Sequence, residues 1–274
     1  MDDSYRTPKQ IKLDILIVIL PHKAQAKSME IAALIPARLA SSRFPGKLLK
    51  RIGDKAIIRH VYDNMIATGL FKHVAVVCDH PSIYDEITNN GGKAYISGRE
   101  HENGTSRIAE IARQLSFPYI FNVQGDEPFV HRNILEALIR LFKEDHNGII
   151  DIVSPMTLLT DEAAIQNPNI VKVVTDSRGE ALYFSRSPIP YRRNQSAPRV
   201  CYRHIGIYGY RRESLLRTET LPPSTLDDQE MIECLRYLDH GMKIKMAVTD
   251  SQGVSIDTPD DLEQAIEYYR SLTS

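Results

Sequence analysis

The sequence predicts an α/β fold on a mostly parallel sheet. Between residues 31 and 154, short apolar runs alternate with stretches whose apolar residues recur at helical spacing, the signature of βαβ units. Polar, glycine-containing clusters follow two of those runs, where the ligand-binding loops of a parallel sheet lie. Beyond residue 160 the runs shorten and proline-rich loops separate them, so a smaller strand-rich part is expected there.

Residues 31–35 form an unbroken apolar run ending at Pro36, as a strand buried on both faces requires. Residues 56–68 carry Ile57, Val61 and Met65 at helical spacing and stop at Gly69. A strand at 74–77, a helix at 82–90 closed by Gly91-Gly92, and a strand at 94–96 follow. Then come a helix at 104–115, a strand at 119–123 running into Gln124-Gly125-Asp126, a helix at 131–143 and a strand at 149–154. Residues 171–174, 181–184 and 205–210 read as the shorter strands. Residues 226–239 read as one helix, with Met231, Leu235 and Leu238 apolar and Gly241 closing it. A strand at 243–248 precedes a last helix from Thr258-Pro259, where proline suits the first turn.

The 274 residues are 42% hydrophobic and 25% charged, which is ordinary globular composition. Residues 29–274 are read as a single domain, and residues 1–28 as a disordered extension or a misassigned start, with Met29 as the alternative start. The apolar run at 13–20 is far short of the ~20 residues a bilayer span needs. Asp2 and Asp3 oppose a signal peptide. A net charge of -1 gives no field for nucleic acid, and no nucleic-acid motif or membrane insertion is expected. Cys78, Cys201 and Cys234 are an odd set with no close pair, so neither a disulfide framework nor a zinc site is expected. A reducing, cytoplasmic location follows.

Four clusters carry candidate chemistry. Arg38, Arg43 and Lys47, with Ser41, Ser42 and Gly46 among them, place three cations on a loop after the first strand. Guanidinium forks and a lysine point charge complement phosphate oxygens, although the spacing is not that of a P-loop. Asp126, between Gly125 and Glu127-Pro128, stands where Mg²⁺ is held by one or two carboxylates, or else it caps the next helix. Asp257, before Thr258-Pro259-Asp260-Asp261, is a metal ligand or one of several acids favouring a helix N-terminus. Arg186, Arg193, His204, Tyr208 and Glu233 could meet an acidic substrate, although a histidine on an apolar strand, as His204, is more often a core residue and a glutamate on a helix face, as Glu233, more often a surface charge.

Six segments in order extend across roughly residues 31–270: Ile35-Pro-Ala-Arg-Leu-Ala-Ser-Ser-Arg-Phe-Pro-Gly-Lys47, His101-Glu-Asn-Gly-Thr-Ser-Arg107, Asn122-Val-Gln-Gly-Asp-Glu-Pro128, Ala181-Leu-Tyr-Phe-Ser-Arg186, Arg203-His-Ile-Gly-Ile-Tyr-Gly-Tyr210 and Asp257-Thr-Pro. Together they resemble the 3-deoxy-manno-octulosonate (KDO) cytidylyltransferases. The resemblance implies a Rossmann-like sheet of the sugar nucleotidyltransferase type, with a strand-rich dimerisation subdomain at approximately 180–225 and a homodimer. It implies transfer of CMP from CTP to an acidic eight-carbon sugar, with pyrophosphate released, for lipopolysaccharide biosynthesis. Arg38, Arg43 and Lys47 would bind the CTP phosphates, and Asn103, Gly104 and Gln124 would lie near the base and ribose. Asp126 and Asp257 would hold Mg²⁺ and, with Lys47, form the catalytic set. Arg186, Arg193, His204, Tyr208 and Glu233 would recognise the sugar. Four departures stand out: Cys78 where the family has threonine, Ser106 where it has glutamate, Cys234 where it has glutamine, and a longer 253–257 segment. The loss of a glutamine amide, a strong donor and acceptor, leaves a KDO analogue such as the 8-amino sugar as an alternative substrate.

Overall fold

A computed structural model of the chain describes residues 29–41, 43–196, 198–250 and 255–273. Strand β1, Ile31–Ala37, is buried along its whole length. Ile31, Ala33, Ile35 and Ala37 pack into one core cluster, while Ala32 and Leu34 pack into another. That alternation explains the unbroken apolar run: the sheet separates two cores, and both faces of β1 are dry.

The elements follow as β2 Arg51–Ile52, β3 Lys55–Ala56, α1 Ile57–Thr68, β4 His73–Cys78, α2 Pro81–Thr88, β5 Ala94–Ile96, α3 Gly104–Ala112, β6 Tyr119–Asn122 and α4 Arg132–Glu144. Then come β7 Ile152–Leu158, α5 Glu162–Gln166, β8 Lys172–Thr175, β9 Ala181–Ser185, β10 Tyr202–His204 and β11 Tyr208–Arg211. The chain closes with α6 Arg212–Thr218, α7 Thr225–Glu230, α8 Glu233–Asp239, β12 Ile244–Val248 and α9 Pro259–Thr273. The sheet order is β5-β4-β1-β6-β11-β7-β10-β8-β9, with β12 also beside β7. Strands β5, β4, β1 and β6 are mutually parallel, and β11 runs antiparallel to both β6 and β7. Helices α1, α2, α4 and α9 cover one face, and α3, α6 and α8 the other. Strands β9, β10 and β11, from the 180–225 stretch, join this same sheet. The expected extension at 1–28 lies outside the described residues.

Three sequence expectations are corrected. The helix expected over 226–239 is two helices, because Met231 adopts a left-handed conformation at φ 52. Arg186 secures the break, donating from Nε to the Glu230 carbonyl at 2.6 Å and from Nη2 to the Met231 carbonyl at 3.2 Å. Of the strand expected at 205–210 only 208–210 is strand, as part of β11; residues 205–207 separate it from β10, with the Ser154 hydroxyl within hydrogen-bond reach of the Ile205 and Ile207 carbonyls. The strand expected at 149–154 begins only at Ile152. Asp145 caps the preceding turn instead, accepting from the N–H groups of Ile149 and Ile150.

Candidate functional site

The parallel strands β1 and β6 are neighbours, so the loops after them emerge side by side. Pro36 near the end of β1 is the packing centre. A Cβ on Gly104 would lie 3.0 Å from Pro36 Cγ, and one on Gly125 would lie 2.9 Å from the Pro36 carbonyl oxygen. Only glycine lets the start of α3 and the β6 loop close so tightly against β1. Gly46, at φ 64 with open space around it, serves a different need: it turns the basic loop into the single 3-10 turn Lys47–Leu49.

That turn aims Lys47 inward. Its ammonium donates to Asp126 Oδ2 at 2.5 Å, Asp257 Oδ1 at 2.9 Å and the Ile256 carbonyl at 3.0 Å. Burial by itself lowers the Lys47 pKa, but the two carboxylates outweigh it and raise the value above that of ordinary lysine. Arg43 Nη2 also donates to Asp257 Oδ1, at 3.0 Å. The carboxyl-terminal segment is pinned to the β6 loop by a hydrogen bond from the Ile256 N–H to the Asp126 carbonyl at 3.0 Å. The carboxyl-terminal acids differ in their contacts. Asp261 Oδ2 accepts from the N–H groups of Asp257 and Thr258, and Thr258 Oγ1 accepts from Asp261. Asp261 caps α9, while the Asp257 side chain faces the cations. Ser42 and residues 251–254 lie outside the described residues.

Pro36, Arg38, Arg43, Lys47, Asn103, Gly104, Gln124, Asp126 and Asp257 all line one cleft of about 380 Å³. All three expected site cations and both aspartates are therefore brought together with the three expected base and ribose residues. Asn103 has a local task as well: its Oδ1 accepts from the Ser106 N–H at 2.8 Å in a capping box that starts α3. Ser106, a departure from the family pattern, is what completes that box.

Other cleft residues escaped the sequence reading. Arg107, only 6% exposed, donates to the Ala37 carbonyl at 3.1 Å and pairs with Asp79 at 3.3 Å. Asp79 in turn accepts from the Leu39 N–H at 2.9 Å, fixing the start of the basic loop. His101 lines the cleft with its ring held 2.5 Å from Glu110. The available signals were Asp79 at the end of a strand and Arg107 one turn into α3. Glu127, beside Asp126, is buried with one oxygen unpartnered, and burial pushes its pKa up to about 7, with the Asp126 charge adding to the effect.

A model described as Cytidylyltransferase matches residues 32–244 of this chain. The chain belongs to the cytidylyltransferase family. It is 48% identical over 86% of its length to a Christiangramia forsetii protein, 95% of which is covered, named 3-deoxy-manno-octulosonate cytidylyltransferase. A Flavobacterium johnsoniae protein of the same name is 47% identical over 89% of this chain and covered in full. Among solved structures, a CMP:2-keto-3-deoxy-manno-octonic acid synthetase complexed with CTP superposes with a TM-score of 0.84 at 34% identity, covering 88% of this chain and 99% of its own. The fold is therefore the α/β sheet of the sugar nucleotidyltransferases, and the chain is a nucleotidyltransferase.

The residues expected on the sugar side divide. Glu233 borders a second cleft beside Glu102 and Asn103, and its Oε2 accepts from Thr105 Oγ1 at 2.9 Å. Gln124, Asn122 and Thr105 form a polar chain leading from the first cleft to this carboxylate, at 3.3 and 3.5 Å per link. Burial raises the Glu233 pKa. Tyr208 accepts from Cys234 Sγ at 3.4 Å and lies against the His204 ring. His204 is buried beside Ser154 Oγ at 3.0 Å, and its pKa falls to about 3 through burial and the nearby Arg203. It has the environment of a satisfied core histidine. Arg186 does not line the first cleft; besides its bonds at the helix break, its Nη1 donates to the Pro168 carbonyl at 3.0 Å. Arg193 is exposed on the loop after β9 and lines neither cleft. Cys78 is buried at the end of β4, donating to the Tyr95 carbonyl, and is pushed up to about 11 by burial.

Proposed function

We propose that this chain activates KDO with CTP, giving CMP-KDO and pyrophosphate for lipopolysaccharide assembly. One observation carries the reading. In a basic cleft, Lys47 draws together Asp126 and Asp257, which are 131 residues apart in the chain, beside Arg38 and Arg43. The names of the relatives and of the CTP-bound neighbour supply the substrates. They favour KDO over its 8-amino analogue. Cys234, the departure that raised the analogue, is 1% exposed, donates to Tyr208 and lines neither cleft, so it gives the analogue no support.

Mg²⁺ belongs to this reading. Asp126 and Asp257 already converge on one cation, the Lys47 ammonium. Two carboxylates completed by substrate phosphate and water is a donor set Mg²⁺ takes, so these residues fit it. Bound there, the metal would neutralise phosphate charge and lower the pKa of the attacking hydroxyl. The protein's own work is positioning and charge stabilisation. Arg38 and Arg43 present guanidinium groups to the triphosphate, and Lys47 takes a phosphate oxygen. Gly104 and Gln124 shape the nucleoside end and Glu233 borders the sugar end, while Tyr208 and His204 line neither cleft. The sugar's anomeric hydroxyl attacks the α-phosphorus in line, and pyrophosphate leaves.

The working unit is a homodimer in the cytoplasm. Leu158, Leu182, Val200 and Val248, all exposed on or beside the β7–β12 part of the sheet, support the first statement. Three buried unpaired thiols support the second. No described helix is long and apolar enough to cross a membrane. The test is pyrophosphate release dependent on CTP and KDO. Asp126→Ala and Lys47→Ala should abolish it, and near-wild-type rates in folded variants would sink the assignment. Light scattering of the purified protein reads the dimer.

A further inference from the structure

Lys47 is assigned above to phosphate, yet its ammonium is fully engaged without one. An ammonium has three N–H donors. Here they go to Asp126 Oδ2, Asp257 Oδ1 and the Ile256 carbonyl. The side chain is only 12% exposed, so water is a poor substitute for any of them. A phosphate oxygen can therefore gain Lys47 only by displacing one of these acceptors. Conversely, a divalent cation approaching the same two oxygens meets a positive charge already in hydrogen-bond contact with both. Lys47 alone among the described residues contacts both carboxylates.

We propose that Lys47 is the resident counter-ion of the Asp126–Asp257 pair, and that it makes divalent-cation binding conditional on nucleotide. The triphosphate draws the ammonium off the carboxylates and so yields them to the metal. Lys47 is thus a positioning residue for the cation as well as a phosphate ligand. The inference rests on the assignment of the two aspartates as the metal-holding pair.

The test is Mn²⁺ binding followed by electron paramagnetic resonance, which needs no turnover. Without nucleotide, Lys47→Gln should bind Mn²⁺ at least about tenfold more tightly than wild type, the scale of one charge-assisted hydrogen bond no longer broken. The double variant Lys47→Gln with Asp126→Asn should lose that gain. In wild type, adding CTP should raise bound Mn²⁺ beyond what CTP alone carries. Equal Mn²⁺ affinity of wild type and Lys47→Gln, with the gain in neither, overturns the proposal while leaving the metal pair intact. Equal affinity of the single and double variants overturns the metal pair itself and the proposal with it. If Lys47→Gln does not fold, the wild-type arm decides alone: saturation by Mn²⁺ at the same concentration with and without CTP refutes the coupling.

Discussion

Asp257 and Asp261 stand four residues apart and should fail in opposite ways. Asp261 Oδ2 holds two backbone N–H groups at 2.9 and 2.8 Å, and Thr258 Oγ1 returns a bond at 3.2 Å. Asp261→Ala removes this cap at a cost of about 1–2 kcal/mol. For a chain of this size that is roughly 2–8 °C in Tm. Burial opposes the Asp261 charge, but the backbone and Thr258 bonds prevail and hold its pKa below the ordinary carboxylate value. A depressed carboxylate stabilises above its unfolded pKa and loses that contribution as pH falls through the folded one. The Tm gap between wild type and Asp261→Ala should therefore close toward acid pH. Asp257→Ala breaks only contacts to Lys47 and Arg43, and the Asp257 and Arg43 side chains are 38% and 63% exposed. Solvent screens the Arg43 pair, and Lys47 keeps Asp126 and the Ile256 carbonyl, so the stability cost should stay at about 1 kcal/mol. Its effect belongs to catalysis, where losing one preorganised charge costs roughly 10²–10³ in rate. Thermal melts monitored by circular dichroism, run beside pyrophosphate release at saturating substrates, separate the two. An Asp257→Ala variant that melts as early as Asp261→Ala while keeping its rate would refute the division.

Three further outcomes are expected. Arg186→Ala should cost about 2–4 kcal/mol in urea titration, because it strips the Glu230 and Met231 carbonyls at the α7–α8 break and the Pro168 carbonyl of their donor, and Arg186→Lys should restore less than half. Gly104→Ala places a Cβ 3.0 Å from Pro36 Cγ; it should raise the KM for CTP about tenfold while costing under ~3 kcal/mol of stability, read by nucleotide-dependent kinetics and a melt. Glu127 has its carboxyl pushed up to about 7 against an ordinary 4.5. A raised carboxyl contributes stability below the unfolded pKa and loses it as pH rises through the folded one, a swing of roughly 3 kcal/mol here. Glu127→Gln should flatten that loss between pH 4.5 and 7, measured as the pH dependence of the urea midpoint.

The α/β alternation was legible because burial on both faces of a parallel strand forces runs such as 31–35, and amphipathic helices between them are long enough to show their period. What escaped was imposed from a distance. Nothing in the sequence around Met231 announces a helix break, since neither glycine nor proline stands there; the capping donor is Arg186, 45 residues away. The interruption between β10 and β11 is held by Ser154, about 50 residues earlier. The β2–β3 hairpin pairs two residues per strand, too few for any period to register. Within the site, Arg38, Lys47 and Asp126 were found because charge placed after a strand is a local signal. Which of the clustered acids faces the cleft was not local, because the choice depends on whose backbone N–H groups Asp261 accepts.

The basic loop and the acidic pair are a single mechanical unit. Pro36 lies within strand β1, whose register with β6 fixes where both loops begin. Gly104 and Gly125 each abut Pro36, so the start of α3 and the Asp126 turn have one backbone surface as their common reference. The carboxyl-terminal segment then joins through the Ile256–Asp126 backbone bond rather than through its side chains. Asp257 can consequently exchange one cationic partner for another without losing its place, because its backbone is held by Asp261 and its neighbour's by Asp126. An aspartate positioned by its side-chain contacts would move whenever those contacts changed. Holding the backbone independently leaves the carboxylate free for substrate-dependent chemistry, which is what exchange between Lys47 and a metal demands of it.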